Sequence, residues 1–399
     1  MSPLCESFLR ADQIDARESF YPLHVRICDE CLLVQLPAYV PGEEIFSDYA
    51  YFSSYSDSYV EHQRQYANRM IDELALTQDS LVTEVASNDG YLLQHFVAKG
   101  IPVLGVEPAA NIVEVARGKG IRTENCFLTP ETAASLVEQY GKADLVAANN
   151  VYAHIPDIVE VTEGVRDLLK DDGVFIFEVH YLGKITQGMQ YDMIYHEHLY
   201  YYSLIALINH FERCGMTVFD VKPVQIHAGS MRYFVCRKSS RRAKAISPRV
   251  TALRNDELAH GFHRAETFIR FAQDIAQRKE RLMDLLGRLR AGGRTIAGYG
   301  ASGRANTIIQ YCGIGREHLE CIIDDAPAKW DYYTPGSHFP IRSNEVLKSA
   351  PPDYLLIFAW GYFSEIAERC RDYLEAGGRM IVPLPDVRLI LHPLPGMAL

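Results

Sequence analysis

The sequence has no apolar run approaching the roughly 18 residues of a membrane span, and Met1–Arg10 lacks the basic-then-apolar order of a secretory signal. Neither a spanning segment nor export is expected, and the default location is cytoplasmic. Low-complexity tracts and short-period repeats are also missing, so nothing suggests a repeat array. Positive charge is in deficit: 40 Lys and Arg face 51 Asp and Glu, a net charge of −11. An acidic surface repels a phosphate backbone, which makes nucleic acid an unexpected partner. Nine cysteines, an odd number with Cys28-Asp-Glu-Cys31 as the one Cys-x-x-Cys, fit reduced thiols better than a disulfide framework. What remains is ordinary globular composition, 48% hydrophobic and 23% charged over 399 residues, enough for two or three domains.

Three segments are expected. Residues 1–48 are irregular and punctuated by Pro3, Pro22, Pro37 and Pro41, a small loop-rich module. Residues 49–240 open with an aromatic and serine cluster and a helix to about Leu76. From Leu81 strand-like runs (LVTEVA, IPVLGVE, ADLVAANN, GVFIFEV) then alternate with amphipathic helical ones. That alternation marks an α/β unit with a parallel sheet. A charged helical connector, about Pro248 to Arg290, leads to a second α/β region within 241–399, beginning at TIAGYGASG.

Two loops bear on ligands. Glu84-Val-Ala-Ser-Asn-Asp-Gly90 stands where a first strand ends and a helix begins, and Glu107 ends the next strand, placed to accept hydrogen bonds from two ribose hydroxyls. The single glycine serves a pyrophosphate badly, so a nucleoside cofactor without phosphate is expected. S-adenosylmethionine is such a cofactor, with Asn125 and Phe127 flanking the adenine and Asn149-Asn150 beside the methionine moiety. The later Gly298-x-Gly300-x-x-Gly303, with Asp324-Asp325 ending the following strand, has the form of a dinucleotide fingerprint. It supports an alternative, an NAD(P)-dependent oxidoreductase acting on a nucleotide sugar. Glu107 discriminates, because an oxidoreductase needs no second nucleoside loop.

The ordered blocks Tyr49-Ala-Tyr51-Phe-Ser-Ser-Tyr-Ser, Glu84–Gly90, Gly105-Val-Glu107-Pro108-Ala109, Asn149-Asn150 with His154-Ile-Pro156, Tyr195-His-Glu-His198, His227-Ala-Gly229-Ser-Met-Arg232 and Gly298–Asn306 resemble one family. It is the S-adenosylmethionine-dependent nucleotide-sugar C-3-methyltransferases of branched-chain deoxysugar biosynthesis. The resemblance implies a central Rossmann-like methyltransferase domain, a small amino-terminal zinc-domain remnant and a carboxy-terminal Rossmann-like domain that helps bind the nucleotide sugar. It implies cofactor contacts from Tyr49, Ser54, Glu84, Ala86, Asn88, Gly90, Tyr91, Glu107, Pro108, Asn125, Phe127, Asn149 and Asn150. Substrate contacts are implied for Tyr181, His196, His227, Arg232, Tyr299, Gly300, Ser302, Arg304, Asn306 and Lys329. The substrate would be a dTDP- or GDP-linked 4-keto deoxysugar, and no partner chain is required.

The family's structural zinc is held by two Cys-x-x-Cys pairs, of which Cys28 and Cys31 alone are found here. Ser2–Phe8 resembles the segment after the first pair, so the chain reads as starting late in that domain. Two thiolates leave a tetrahedral site open unless His24 or Cys5 joins, and free thiols are the preferred reading.

Methylating a sugar carbon needs a carbanion equivalent, which a 4-ketone makes available at C-3 by enolisation. His198 is the expected base, since imidazole titrates near neutrality. His154 is the second candidate, Tyr51 and Tyr195 would supply phenolic donors, and Glu197 would orient substrate or ring. If residues 195–198 form a strand, 196 and 198 share a face; in a loop all converge. A catalytic metal on His196-Glu197-His198 is not favoured, because no further acid–histidine cluster supports it.

Overall fold

The computed structural model describes residues 1–41, 53–55, 57–226 and 229–391. Tyr49, Tyr51 and His227 lie outside the described residues. The chain divides into two compact units, and they cut across its sequential segments. The first is Arg26–Tyr181 with Leu199–His263; the second is Met1–Val25, Leu182–His198 and Arg264–Leu399.

The apolar runs of the first unit become strands β1 (Val82–Val85), β2 (Val103–Val106), β3 (Thr123–Glu124), β4 (Ala143–Asn149), β5 (Leu169–His180), β6 (Met216–Val224) and β7 (Ser230–Arg237). They form one sheet in the order β3-β2-β1-β4-β5-β7-β6, parallel except where β7 runs against β5 and β6. Covered on both faces, the strands need near-continuous apolar sequence. Along β5 the period of two sends Phe175, Phe177 and Val179 to one core, and Val174 and Ile176 to the other. Helix α1 (Asp57–Leu74) closes the second core with Tyr66, Ala67 and Met70. Strand order reverses between β1 and β4, and the crevice at their carboxyl ends is where a doubly wound sheet takes its ligand.

Tyr181 follows β5 and faces Glu257 of α3 (Pro248–Ala259). The Glu257 carboxylate accepts the Leu204 and Ile205 N–H groups, at 2.6 and 2.8 Å, at the start of α2 (Leu204–Arg213). Burial pushes Glu257 up to about 7 against the pull of these two bonds. Tyr181, expected at the substrate, is thus taken up in seating a helix.

In the second unit β8 (Ile296–Tyr299), β9 (Ile322–Ile323), β10 (Ile341–Arg342), β11 (Tyr354–Ile357), β12 (Arg379–Val382) and β13 (Arg388–Ile390) make a sheet in the order β10-β9-β8-β11-β12-β13. Only the β12–β13 pairing is antiparallel. Helix α4 (Ala265–Ala291) packs on this unit's core through Ile275, Leu282 and Leu286. Helix α5 (Gly303–Cys312) starts after the glycine loop, with Ser302 as its cap. The first 25 residues group here because Leu9 and Tyr333 exchange backbone hydrogen bonds of 2.9 and 2.8 Å, and Glu18 holds the Gly336 N–H and the His338 ring.

Candidate active site

The loop after β1 is bent by left-handed residues at alternate positions, Ala86 (φ +50°), Asn88 (φ +48°) and Gly90 (φ +80°). Two of the three carry a Cβ, so the surroundings must hold them there. Glu107 does much of this, accepting the Asn88 N–H (2.9 Å) and the Ala109 N–H (3.0 Å). Asn88 in turn accepts the Ser53 N–H at 2.9 Å, and Ser54 and Lys119 both bond Asp89, the lysine at 2.7 Å. Asn125 donates to the carbonyls of Glu107 and Pro108 at 3.0 and 2.8 Å and fixes that corner, while the Phe127 ring is 44% exposed. Tyr91 is buried, stacks on Tyr59 with ring centres 5.4 Å apart and turns its hydroxyl toward Glu84. Asn150 donates to the Tyr59 hydroxyl at 2.9 Å.

The resulting cradle is rich in acceptors. Glu84 is fully buried and its pKa is raised, first by desolvation and then by the charges of Glu107 and Asp89. Among the described residues, one oxygen of Asp89 and both amide atoms of Asn149 are buried without a hydrogen-bond partner. Unsatisfied buried polar atoms at the end of β4 are costly unless a ligand meets them. Three carboxylates suit a ligand offering ribose hydroxyls, an ammonium and a sulfonium, and repel a phosphate. The residues present therefore fit S-adenosylmethionine.

In the second unit Tyr195–His198 is a turn, closed by the His198 N–H on the Tyr195 carbonyl at 2.9 Å. The two rings lie 4.0 Å apart, with the Tyr195 hydroxyl 2.8 Å from His198 Nε2. His198 Nδ1 is 2.8 Å from the Met193 carbonyl. A carbonyl only accepts, so Nδ1 carries a hydrogen; in the neutral ring Nε2 is then the acceptor and Tyr195 donates to it. Tyr195 is half-buried, and desolvation followed by the charges of Cys5, Glu197 and Glu6 raises its pKa, with Arg304 opposing. Burial also raises Glu197, which accepts the Cys5 thiol at 3.4 Å, and raises Glu6. His196 sits against Tyr21, and burial lowers its pKa. Sequence reasoning missed Glu6 and Asp192 and weighed Cys5 only as a metal ligand; Cys5 and Glu6 reach this turn from the start of the chain, and Asp192, though only three residues before Tyr195, meets its partner Arg304 112 residues later.

The glycine fingerprint has a packing explanation. A Cβ on Gly298 would meet the Phe358 ring at 2.6 Å, on Gly300 the Ala359 Cβ at 2.8 Å, and on Gly303 the Cys5 sulfur at 2.8 Å. Glu6 accepts the Gly303 N–H at 3.2 Å, at the helix start where a dinucleotide's pyrophosphate would lie. The oxidoreductase alternative is therefore not favoured. The cations expected at the substrate are tied as well: Arg304 to Asp192, and Lys329 to the Ala301 carbonyl at 2.6 Å. Tyr299 donates to Asp325 at 2.8 Å, Ser302 caps α5, and the Asn306 amide is buried with neither atom partnered among the described residues. Arg232, in the first unit, is buried on Glu178. His154 also belongs to the first unit, in the turn after β4.

Cys28 and Cys31 sit in the turn between two short strands, Arg26–Ile27 and Val34–Gln35. Backbone N–H groups of Cys31 and Glu30 lower the Cys28 thiol. Among the described residues no three His, Cys, Asp or Glu side chains are grouped to hold a metal ion. Two thiols do not fit a closed zinc site. No helix among the described residues is long and apolar enough to cross a membrane.

Three family models match the chain: "Putative zinc binding domain" over residues 1–46, "Methyltransferase domain" over 59–221 and "C-methyltransferase C-terminal domain" over 225–385. The C-methyltransferase NovU of Streptomyces niveus is 34% identical over 389 residues, 98% of this chain and 92% of that protein. Among solved structures, an S-adenosylmethionine-dependent methyltransferase from Clostridium acetobutylicum matches with TM-score 0.35 and 14% identity, over 45% of this chain and 92% of its own. Magnesium protoporphyrin IX methyltransferase from Synechocystis, with S-adenosylmethionine bound, matches with TM-score 0.34 and 15% identity, over 45% and 82%. With the near full-length match to NovU and the acceptor-rich cradle on β1, β2 and β4, the chain belongs to the S-adenosylmethionine-dependent C-methyltransferases of the sugar-modifying family.

Proposed function

We propose that the methyl acceptor is C-3 of a dTDP- or GDP-linked 4-keto deoxysugar, methylated through its enolate in the making of a branched-chain sugar. The observation that carries this reading is the Tyr195–His198 pair with its tautomer set by the Met193 carbonyl. A neutral imidazole facing a phenol is suited to enolisation next to a ketone. His198 Nε2 is the final proton acceptor: as the C-3 proton passes to the Tyr195 oxygen, the phenolic proton passes to Nε2. This leaves an enolate and an imidazolium, and keeps Tyr195, whose pKa burial raises, from having to exist as a free phenolate. Bound at the cradle, S-adenosylmethionine supplies an electrophilic methyl group. The nucleoside end is assigned to the carboxyl edge of the second sheet, where a cavity of about 240 Å³ is lined by Tyr299, Tyr362 and Arg369 and by the carboxylates of Asp324, Asp325 and Glu365. Incubation with dTDP- and GDP-4-keto deoxysugars and S-adenosylmethionine should yield a sugar heavier by one methylene, with the branch at C-3. Methylation at oxygen, or of no nucleotide sugar at all, would remove the reading.

Two variants probe the two ligands. Glu107→Ala is expected to weaken S-adenosylmethionine binding by about 1.5–3 kcal/mol, the worth of a hydrogen bond to a charged group. Calorimetric titration showing equal affinity would end the ribose role of Glu107. Glu6→Ala frees the Gly303 N–H and removes a carboxylate from the α5 start, so the KM for the nucleotide sugar should fall about two- to fivefold, the usual scale of a charge at a helix terminus. An unchanged KM would place the pyrophosphate away from α5.

A further inference from the structure

Asp192 lies in the short turn Tyr191–Met193 and is completely buried. Its Oδ2 accepts hydrogen bonds from Arg304 Nε and from the indole N–H of Trp360, each at 2.8 Å, and Arg304 Nη2 lies at the same distance as part of the ion pair. The Arg304 guanidinium also lies 5.1 Å from the centre of the Trp360 ring. Two residues on, the Ile194 carbonyl accepts the Thr307 hydroxyl at 3.1 Å. Both chain neighbours of Met193 are thus fastened to α5, by Arg304 and by Thr307. The carbonyl held between them is the one that meets His198 Nδ1 at 2.8 Å.

We propose that Asp192 and Arg304 form a clamp that positions the Met193 carbonyl, and that through it they select the Nδ1–H tautomer of His198, in which Nε2 accepts from Tyr195. Arg304 is then a positioning residue and not a phosphate ligand. Its guanidinium has a buried anion of its own, and its planar fork and ring contact with Trp360 are features that a lysine does not reproduce. Because α5 begins at the glycine loop, one rigid helix carries both that loop and the setting of the base. The catalytic consequence rests on the reading of His198 as the base; the tautomer itself does not.

The test uses two readouts on the full chain. Histidine-selective ¹⁵N labelling, with the His198 signal assigned by its loss in His198→Asn, reports the tautomer without any substrate. The wild type should show the Nδ1–H form, whereas Arg304→Lys, Thr307→Val and Asp192→Asn should show a mixture. In turnover, Arg304→Lys should lower kcat by about 10- to 100-fold, the cost of a catalytic group displaced by about 1 Å, with KM for the nucleotide sugar within about twofold of wild type. Should Asp192→Asn fail to fold, Arg304→Lys and Thr307→Val carry the test alone. An unchanged tautomer in these variants overturns the clamp, and so does an Arg304→Lys enzyme that keeps kcat while KM rises, which would make Arg304 an anion ligand. A tautomer shift in an enzyme that turns over no nucleotide sugar supports the clamp and counts only against the proposed acceptor.

Discussion

His198→Asn should retain both ligands and lose about 10²–10⁴ in kcat, the contribution of a positioned general base. The substitution keeps a polar side chain in the turn but removes the Nε2 acceptor that faces the Tyr195 hydroxyl at 2.8 Å. Proton removal can be observed apart from methyl transfer. With the 4-keto sugar and the demethylated cofactor in deuterium oxide, the wild type should exchange deuterium into C-3 and His198→Asn should not. Tyr195→Phe should also stop exchange, because the phenolic oxygen is the relay to the imidazole. If exchange survives in His198→Asn and disappears in His154→Asn, the base is on the other unit and the tautomer argument is irrelevant to catalysis. Exchange surviving in Tyr195→Phe but not in His198→Asn would leave the imidazole as base and dispense with the relay.

What the sequence revealed and concealed follows from which interactions are local. The continuous apolar run of β5 announces a strand buried on both faces, and its alternating side chains do divide between two cores. Glu107 was recognisable because the distance from a strand–loop–helix start to the end of the next strand is fixed by the fold. The Tyr195–His198 contact follows from a tight turn of four residues, within reach of sequence once the segment is read as a loop. The Gly-x-Gly-x-x-Gly pattern misled for a physical reason: glycine marks close approach, and the pattern does not say whether a ligand or protein fills the space. Here Phe358, Ala359 and Cys5 fill it. The same holds for charge. The resemblance puts Arg304 among the substrate contacts. However, Arg304 meets a buried aspartate 112 residues earlier, a pairing visible only after folding.

Glu178→Gln should destabilise the first unit by about 3–5 kcal/mol, the cost of removing one partner from a buried ion pair. Glu178 and Arg232 are directly opposed on β5 and β7, 0% and 3% exposed. One carboxylate oxygen takes the Arg232 Nε at 2.6 Å and the other lies 3.1 Å from His62 Nε2. The guanidinium also stands 4.2 Å from the centre of the Tyr66 ring. Burial alone would raise the Glu178 pKa, but the His62 hydrogen bond and the Arg232 charge outweigh it and the net shift is downward. A carboxylate whose folded pKa is depressed stabilises the fold above its unfolded pKa, near 4.5, and that contribution disappears as pH falls through the lower folded value. In urea the Glu178→Gln midpoint should therefore fall sharply at neutral pH, while below about pH 4.5 its stability should depend less on pH than that of the wild type. Replacing both partners by apolar residues, Glu178→Leu with Arg232→Met, should recover much of the loss, because no charge is then left buried alone. The same variants decide what Arg232 does. If it binds substrate, Arg232→Met raises KM and leaves the urea midpoint in place; if it holds β7 to β5, the midpoint drops even when neither ligand is present.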